Sequence, residues 1–313
     1  AGISSDLLVA TLLATRAPVV LCPAMHTEMW EHAAVQENLV TLRRRGTHIV
    51  EPGVGRLAGG DVGSGRLADP ETIVAAAEQA LTPADLAGLH VLVTAGGTRE
   101  PIDAVRVITN RSSGKQGYAV AAEAARRGAK VTLVSTVAGS VPAGVDVIGV
   151  ETAAEMADAV FGCSDQADVV VMAAAVADFR PVAPAEGKLK KDAGPPHIEL
   201  EPTVDILAEL GSRRRPGQVL VGFAAETTDL AEHAADKLRR KHLDLIVAND
   251  VSAPGVGFEH DTNAVTIIRR DGMVQNVPLA GKRQVAAAVL DAVVAATGRG
   301  PEQAPSHNTQ EQT

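Results

Sequence analysis

Aromatic side chains are scarce in this 313-residue chain, at 2% of its residues with one Trp and one Tyr. A surface that stacks single-stranded nucleic acid on successive rings is not expected from such a composition. Positive charge is in deficit too, with 29 Lys and Arg against 38 Asp and Glu, and a net charge of −9 repels a phosphate backbone. The two cysteines, Cys22 and Cys163, lie in or beside apolar runs, without the paired spacing of a metal site or a disulfide framework. They read as reduced, buried thiols. No run is long and apolar enough to span a bilayer, and no basic-plus-apolar leader is read at the start. Neither nucleic acid nor membrane is expected as a partner, and a cytoplasmic protein is the default. What is present is 46% hydrophobic residues, enough for an ordinary core, on a length that suggests about two domains.

The chain opens with "AGISSDLLVATLLATRAP", in mid-element and without an initiator Met, which reads as a fragment missing its N-terminus. Ser5 or Asp6 can cap a helix to about Thr15, "PVVLCP" reads as a short buried strand, a helix covers part of 25–45, and "THIVEP" is a further strand. "GVGRLAGGDVGSGRLADP" reads as a glycine-rich loop before the helix "ETIVAAAEQAL". Residues 1–81 thus form a partial flavodoxin-like α/β segment, 82–88 a linker, 89–297 a second domain, and 298–313 a polar, disordered tail.

In the second domain the α/β alternation restarts in full: strand 90–94, helix 115–127, strand 130–135, helix 152–161 and strand 168–174. Then follow helix 204–211, strand "QVLVGFAA", helix 229–242, strand "LDLIVAND", a hairpin about an Asp-Gly turn in "AVTIIRRDGMVQNVPL", and helix 282–296. The fold class is α/β, a Rossmann-like doubly wound, mostly parallel sheet with an edge hairpin, whose ligands lie beyond the strands' carboxyl ends.

A nicotinamide cofactor fits poorly. Gly96 and Gly97 are followed by Thr98, Arg99 and Glu100 rather than by G-x-G-x-x-G spacing, the second strand ends in Ser135 and Thr136 without an acid, and the lone Tyr118 has Ala122 four residues on. Gly96 and Gly97 make a tight turn in any case, and their place after a strand also turns them toward a ligand. "NRSSGKQG" sets Asn110, Ser112, Ser113 and Gly114 ahead of a helix, where backbone N–H groups and the helix dipole attract an anion. A serine there also serves as an ordinary N-cap. The 97–114 excursion, long for a structureless loop, favours function.

Lysines gather at the same edge. "AAAVADFRP" ends in Asp178 and Phe179, "EGKLKK" supplies Lys188, Lys190 and Lys191, and Lys237 and Lys241 stand one turn apart on a helix that Asp229 and Glu232 can cap. Each cluster alone suits a solvated face; together, in an acidic chain, they suit a multiply charged anion such as a triphosphate. Phe223 in "VGFAAET" suits covering a base and filling core equally.

"TAGGTREPID", "ITNRSSGKQG", "AAAVADFRP", "KLKK", "VGFAAET" and "LIVAND" stand in the order found in bacterial phosphopantothenoylcysteine synthetases, which residues 88–296 closely resemble. Residues 1 to about 80 resemble the end of the flavin-dependent phosphopantothenoylcysteine decarboxylases through "PAMHTEMW" and "GGDVGSGRLADP". The resemblance implies CTP-dependent ligation of 4′-phosphopantothenate to L-cysteine, with Mg²⁺, through an acyl-cytidylate. It implies that Lys188 serves cytidylyl transfer, that Lys237 and Lys241 contact CTP, and that Asp178 and the 172–174 backbone (Met172, Ala173, Ala174) lie at its cytosine or ribose end. Phe223 and Val204, Asp205, Ile206 and Leu207 complete the nucleotide site, and Asn110 holds phosphopantothenate and the acyl intermediate. It also implies a homodimer through the ligase domain, and a higher homo-oligomer and FMN in the full-length protein. His26 stands where the family's P-x-M-N-x-x-M-W motif, with its Met29 and Trp30, has asparagine, and Gly59 where its flap has cysteine. This chain is accordingly expected neither to hold FMN tightly nor to decarboxylate. The rival expectations are a Rossmann NAD(P) oxidoreductase and a non-catalytic flavodoxin-like scaffold.

Overall fold

The computed structural model describes residues 2–190, 196–226, 230–250 and 260–298. Lys191, Asp229 and nearly all of the expected tail lie outside the described residues. The chain divides into two compact units, residues 1–83 and 84–313.

In the first unit α1 (Leu7–Ala14) starts at Asp6, whose carboxylate accepts the Val9 N–H at 2.9 Å. Then come β1 (Val20–Leu21), α2 (Thr27–Trp30), α3 (Ala33–Arg44), β2 (His48–Ile49), β3 (Gly53–Arg56), β4 (Val62–Arg66) and α4 (Pro70–Leu81). Strands β1 and β2 pair in parallel. The glycine-rich stretch expected as a loop is instead the antiparallel hairpin β3–β4, because its glycines alternate with Val54, Arg56, Val62 and Arg66 and so keep the two-residue period of a strand.

The second unit contains β5 (His90–Ala95), β6 (Arg99–Pro101), β7 (Val107–Thr109), α5 (Lys115–Arg126), β8 (Lys130–Ser135), β9 (Val145–Gly149), α6 (Ala153–Ser164), β10 (Val169–Met172) and β11 (Phe179–Pro181). It continues through β12 (Leu200–Pro202), α7 (Ile206–Arg213), β13 (Val219–Glu226), α8 (Leu230–Arg240), β14 (Leu245–Asp250), β15 (Thr262–Arg269), β16 (Val274–Gly281) and α9 (Lys282–Ala296). One eight-stranded sheet runs β16-β15-β14-β13-β10-β5-β8-β9, parallel from β14 to β9 and closed at the other edge by the antiparallel β15–β16 hairpin. Parallel strands buried on both faces must be apolar on both, and they are. Val91, Val93, Val169, Val171, Val219 and Val221 pack with α5 and α9, while Leu92, Val170, Leu220 and Ile246 pack with α6, α7 and α8.

Three departures from the sequence reading matter for the site. The edge strand β9, not anticipated, is short and exposed on most of its length, so it carries little apolar signal. The 97–114 excursion is not structureless: it holds the antiparallel hairpin β6–β7, tied down where the buried Glu100 carboxylate accepts the Ala153 N–H at 2.9 Å and so joins the start of α6. The strand expected over 168–174 ends at Met172, because the chain beyond it takes its hydrogen bonds from β5 and the loop that follows it.

Residues 84–88, expected as linker, are built into the second unit. Leu86 is fully buried, and Asp85 takes Arg127 Nη2 at 2.5 Å while Asp291 takes Nη1 at 2.8 Å. Burial opposes the Arg127 charge, but the two carboxylates raise its pKa above the ordinary value. One guanidinium thereby joins the start of the unit to α5 and α9. Arg127→Ala is expected to cost about 3 kcal/mol, the lower end of the buried-pair range because Asp291 stays solvated, read as a lower urea midpoint at unchanged slope.

Candidate functional site at the carboxyl edge of the sheet

From β5 the chain winds outward through β8 to β9, then returns to place β10 on the other side of β5. That reversal falls between β5 and β10 and makes their carboxyl ends the switch point of the sheet. The strap after β10 is held across it by the end of β5 and its loop. The Ala174 N–H donates to Thr94 Oγ1 at 3.0 Å, Ala175 N–H to the Gly96 carbonyl at 2.8 Å, and Ala177 N–H to Thr98 Oγ1 at 2.9 Å. Thr94 and Thr98 are fully buried. Gly96 sits at φ +90°, and a Cβ there would collide with the Thr136 hydroxyl, so the turn admits only glycine. From the far side Asn110 Nδ2 donates to the Val176 carbonyl at 3.0 Å.

Against the strap lies a cavity of about 470 Å³. Of the residues singled out in the sequence, Asn110, Met172, Ala174, Asp178, Val204, Asp205, Ile206, Leu207, Phe223, Lys237 and Lys241 line it together, joined by Arg111. Asp205 caps α7, accepting the Ala208 N–H at 3.0 Å, and its other oxygen meets Lys241 Nζ at 2.6 Å. Burial pushes the Asp205 carboxyl upward, but the Lys241 ammonium, the Ala208 N–H and the Lys237 charge hold it below its ordinary value.

A second cavity, about 130 Å³, shares Ala174, Ala175, Phe223 and Ala224 with the first. Ser112, Ser113, Gly114 and Ala173, all expected in the site, line it. Neither serine is the cap of α5. Gly114 is, at φ +73°, and the Ser112 hydroxyl accepts its N–H at 3.4 Å. Gly117 lets α5 lie close to β5, since a Cβ there would come within 2.6 Å of Ala95 Cβ. Lys115, Gln116, Asn249, Asn263 and Lys282 complete the wall. Sequence reasoning gave none of them a role, although "NRSSGKQG" and "LIVAND" contain the first three.

Other expected residues stand apart. Gly96 and Gly97 form the turn beneath the strap, with the isolated bridge Gly97–Ala175, and line neither cavity. Phe179 is 53% exposed on β11 and lines neither. Lys188 and Lys190 are exposed and outside both cavities. The reason is local: the intervening Leu189 gives its N–H to the buried Asp103 carboxylate at 3.2 Å and takes Arg106 Nη1 on its carbonyl at 3.3 Å. The Val105 N–H leads the bonds that, against burial, hold the Asp103 pKa below its ordinary value. In the first unit, exposed His26 lines a cavity of about 280 Å³ with Arg56 and Arg66, whereas Met29 and Trp30 do not reach it. A Cβ on Gly59 would approach His26 Cε1 to 2.7 Å, so the hairpin loop fits that ring closely.

Two family models match the chain: the DNA/pantothenate metabolism flavoprotein C-terminal domain over residues 86–296, and flavoprotein over residues 1–82. The coenzyme A biosynthesis bifunctional protein CoaBC of Mycobacterium tuberculosis (strain ATCC 25618 / H37Rv) is 51% identical over 311 residues, 94% of this chain and 74% of that protein. The chain belongs to the CoaBC family. CoaBC of Bacillus subtilis is 48% identical over 299 residues, covering 94% and 73% respectively. The crystal structure of the C-terminal domain of a CoaBC aligns at a TM-score of 0.58 with 44% identity, over 68% of this chain and 97% of that one. The central, mostly parallel sheet is thus the CoaBC sheet. Because a flavoprotein model covers residues 1–82, the expectation of a chain without flavoprotein function is not supported.

The Asp205 shift sets a pH dependence. A carboxyl whose folded pKa lies below its unfolded one stabilises the fold above the unfolded value, and the contribution disappears as pH falls through the folded value. The Asp205→Asn variant, which lacks this carboxyl, should be less stable at pH 7 and show a flatter acid-unfolding curve below about pH 4. Circular dichroism between about pH 6 and pH 2, on wild type and variant, checks this.

Proposed function

We propose that the second unit joins 4′-phosphopantothenate to L-cysteine at the expense of CTP, through an acyl-cytidylate. One observation carries the reading. A cavity for a nucleoside-sized ligand, walled by Asp178, Phe223, Lys237 and Lys241, shares wall residues with a cavity at the start of α5. A base and ribose suit the first, and the phosphates suit the second.

A carboxylate is a poor acyl acceptor for an amine. Its oxygen therefore first attacks the α-phosphorus of CTP, the bond to the bridging oxygen breaks, and pyrophosphate leaves with the electron pair. The cysteine amine then adds to the acyl carbon and CMP departs. Both substrates are anionic in the first step, so fixed positive charge is the main catalytic resource. Lys237 and Lys241 stand on the cavity wall, with Asp205 keeping the Lys241 ammonium in place. Lys188 requires a movement of its segment toward the cavity when the substrates bind. Asn110, fixed by its bond to the Val176 carbonyl, holds the acyl group beside the strap without titrating.

Among the described residues no group of three or more His, Cys, Asp or Glu could cage a metal by itself. This suits Mg²⁺, which enters bound to phosphate oxygens and needs only one or two protein ligands. The first unit belongs to the decarboxylase half of the reaction sequence. The cavity bounded by His26, Arg56 and Arg66 is otherwise lined mainly by apolar residues, and its two arginines fit an anionic arm of a substrate or of FMN. FMN, when bound, supplies reversible two-electron chemistry for loss of carbon dioxide.

The reading is tested by incubating the protein with CTP, Mg²⁺ and 4′-phosphopantothenate, with and without cysteine, while following pyrophosphate and CMP. CMP release should depend on cysteine. Lys188→Ala should lower pyrophosphate release by about 10²-fold, the scale of one lost electrostatic stabiliser, and Asn110→Asp should slow the cysteine-dependent step by a comparable factor. Pyrophosphate release that ignores phosphopantothenate would sink the assignment.

A further inference from the structure

We infer that Lys282, with Lys115 beside it, forms the seat for the two terminal phosphates of the nucleotide, the part that departs as pyrophosphate. The inference rests on the triphosphate reading above and extends it to a residue well beyond the last of the matching motifs.

Lys282 is badly placed for the stability of the protein alone. It is the first residue of α9, where the helix dipole is positive, and only 8% of it is exposed. Burial and the neighbouring Lys115 charge both depress its ammonium pKa, against a smaller opposing pull from Asp261. Asp261 is itself engaged, by Lys115 Nζ at 2.7 Å, and no ion pair of Lys282 is found among the described residues. A methionine would fill the same space without a charge to desolvate. Such an arrangement is relieved by an anion.

The surroundings supply a place for one. Lys282 lines the small cavity at the start of α5, where the first backbone N–H groups of a helix have no intrahelical acceptor. Asn249, 9% exposed, lines the same cavity, and among the described residues its buried Oδ1 has no hydrogen-bond partner; the same holds for Gln116 Oε1. Such polar groups are seldom left unsatisfied, and a half-turn of the Asn249 amide presents its NH₂ to a phosphate oxygen. The shared wall with the larger cavity makes this the direction in which a triphosphate extends from a seated nucleoside. When the bond from α-phosphorus to the bridging oxygen breaks, the electron pair stays on the departing pyrophosphate, and the added negative charge forms beside the Lys282 ammonium. A lysine held there favours that charge more than it favours bound CTP, which is the condition for accelerating the step.

The test is calorimetric binding of CTP, CMP and inorganic pyrophosphate, each with Mg²⁺, to the whole chain as wild type, Lys282→Met and Lys282→Arg. Charge-assisted contacts of this kind are lost at about tenfold or more in affinity. Lys282→Met should therefore lose about tenfold or more for CTP and pyrophosphate and keep its affinity for CMP. Its melting temperature without ligand should be equal to or above that of wild type, and Lys282→Arg should recover most of the pyrophosphate binding. Lys282→Gln makes the same comparison should the Met variant not fold. An equal loss for CTP and CMP, or pyrophosphate binding unchanged in the variants, overturns the seat. Wild-type protein that ignores both CTP and CMP refutes the nucleotide reading instead, and pyrophosphate binding still decides the role of Lys282.

Discussion

Two buried threonine hydroxyls, those of Thr94 and Thr98, hold the 174–177 strap across the end of the sheet. Everything at the site is arranged on that attachment. A parallel sheet with helices on both faces has no exposed surface of its own, so ligands must be met at the strand ends, and at this end the backbone of β10 has to be taken away from β13 to open space. The hydroxyls satisfy N–H groups that the strap would otherwise leave unpaired, at a cost of about 1–3 kcal/mol each. The departure of the strap creates the cavity; the Asn110 bond to Val176 closes it from the opposite side.

Charge in the site follows a consistent division. Around the larger cavity positive groups are balanced locally, most clearly where Asp205 both caps α7 and pairs with Lys241. Around the smaller cavity they are not. Lys115 is paired with Asp261, but Lys282, the start of α5 and the Asn249 amide line the space together. A chain that carries a net charge of −9 nevertheless concentrates uncompensated positive potential at one point, and a highly charged anion is the natural occupant of such a point.

Much of this was legible in the residues. The runs from Val91 to Ala95, Val169 to Met172 and Leu245 to Ala248 are apolar on both faces, a pattern that only a covered parallel strand needs, so the alternating architecture could be read directly. "NRSSGKQG" marked the helix start, and the lysine pair on α8 marked a face, because both signals are local. The hairpins β3–β4 and β6–β7 were not seen, since glycine-rich and mixed-polarity strands carry little hydrophobic alternation. Lys188 was read as close to the chemistry, yet its segment is held away by Asp103 and Arg106, partners more than eighty positions distant that no spacing rule connects to it.

Local pattern and composition were thus sufficient for most of the central elements, their order, and the family to which the chain belongs. These depend on periodicity and short motifs, which lie within a few residues of each other. The identity of the cavity walls was settled only by packing. Lys282 begins the last helix, Asn249 ends a central strand and Ser112 precedes α5, and no interval in the chain relates them. They meet because the topology brings the end of β14 and the starts of α5 and α9 to the same corner, and burial at that corner changes an ordinary surface lysine into a charge that requires a partner.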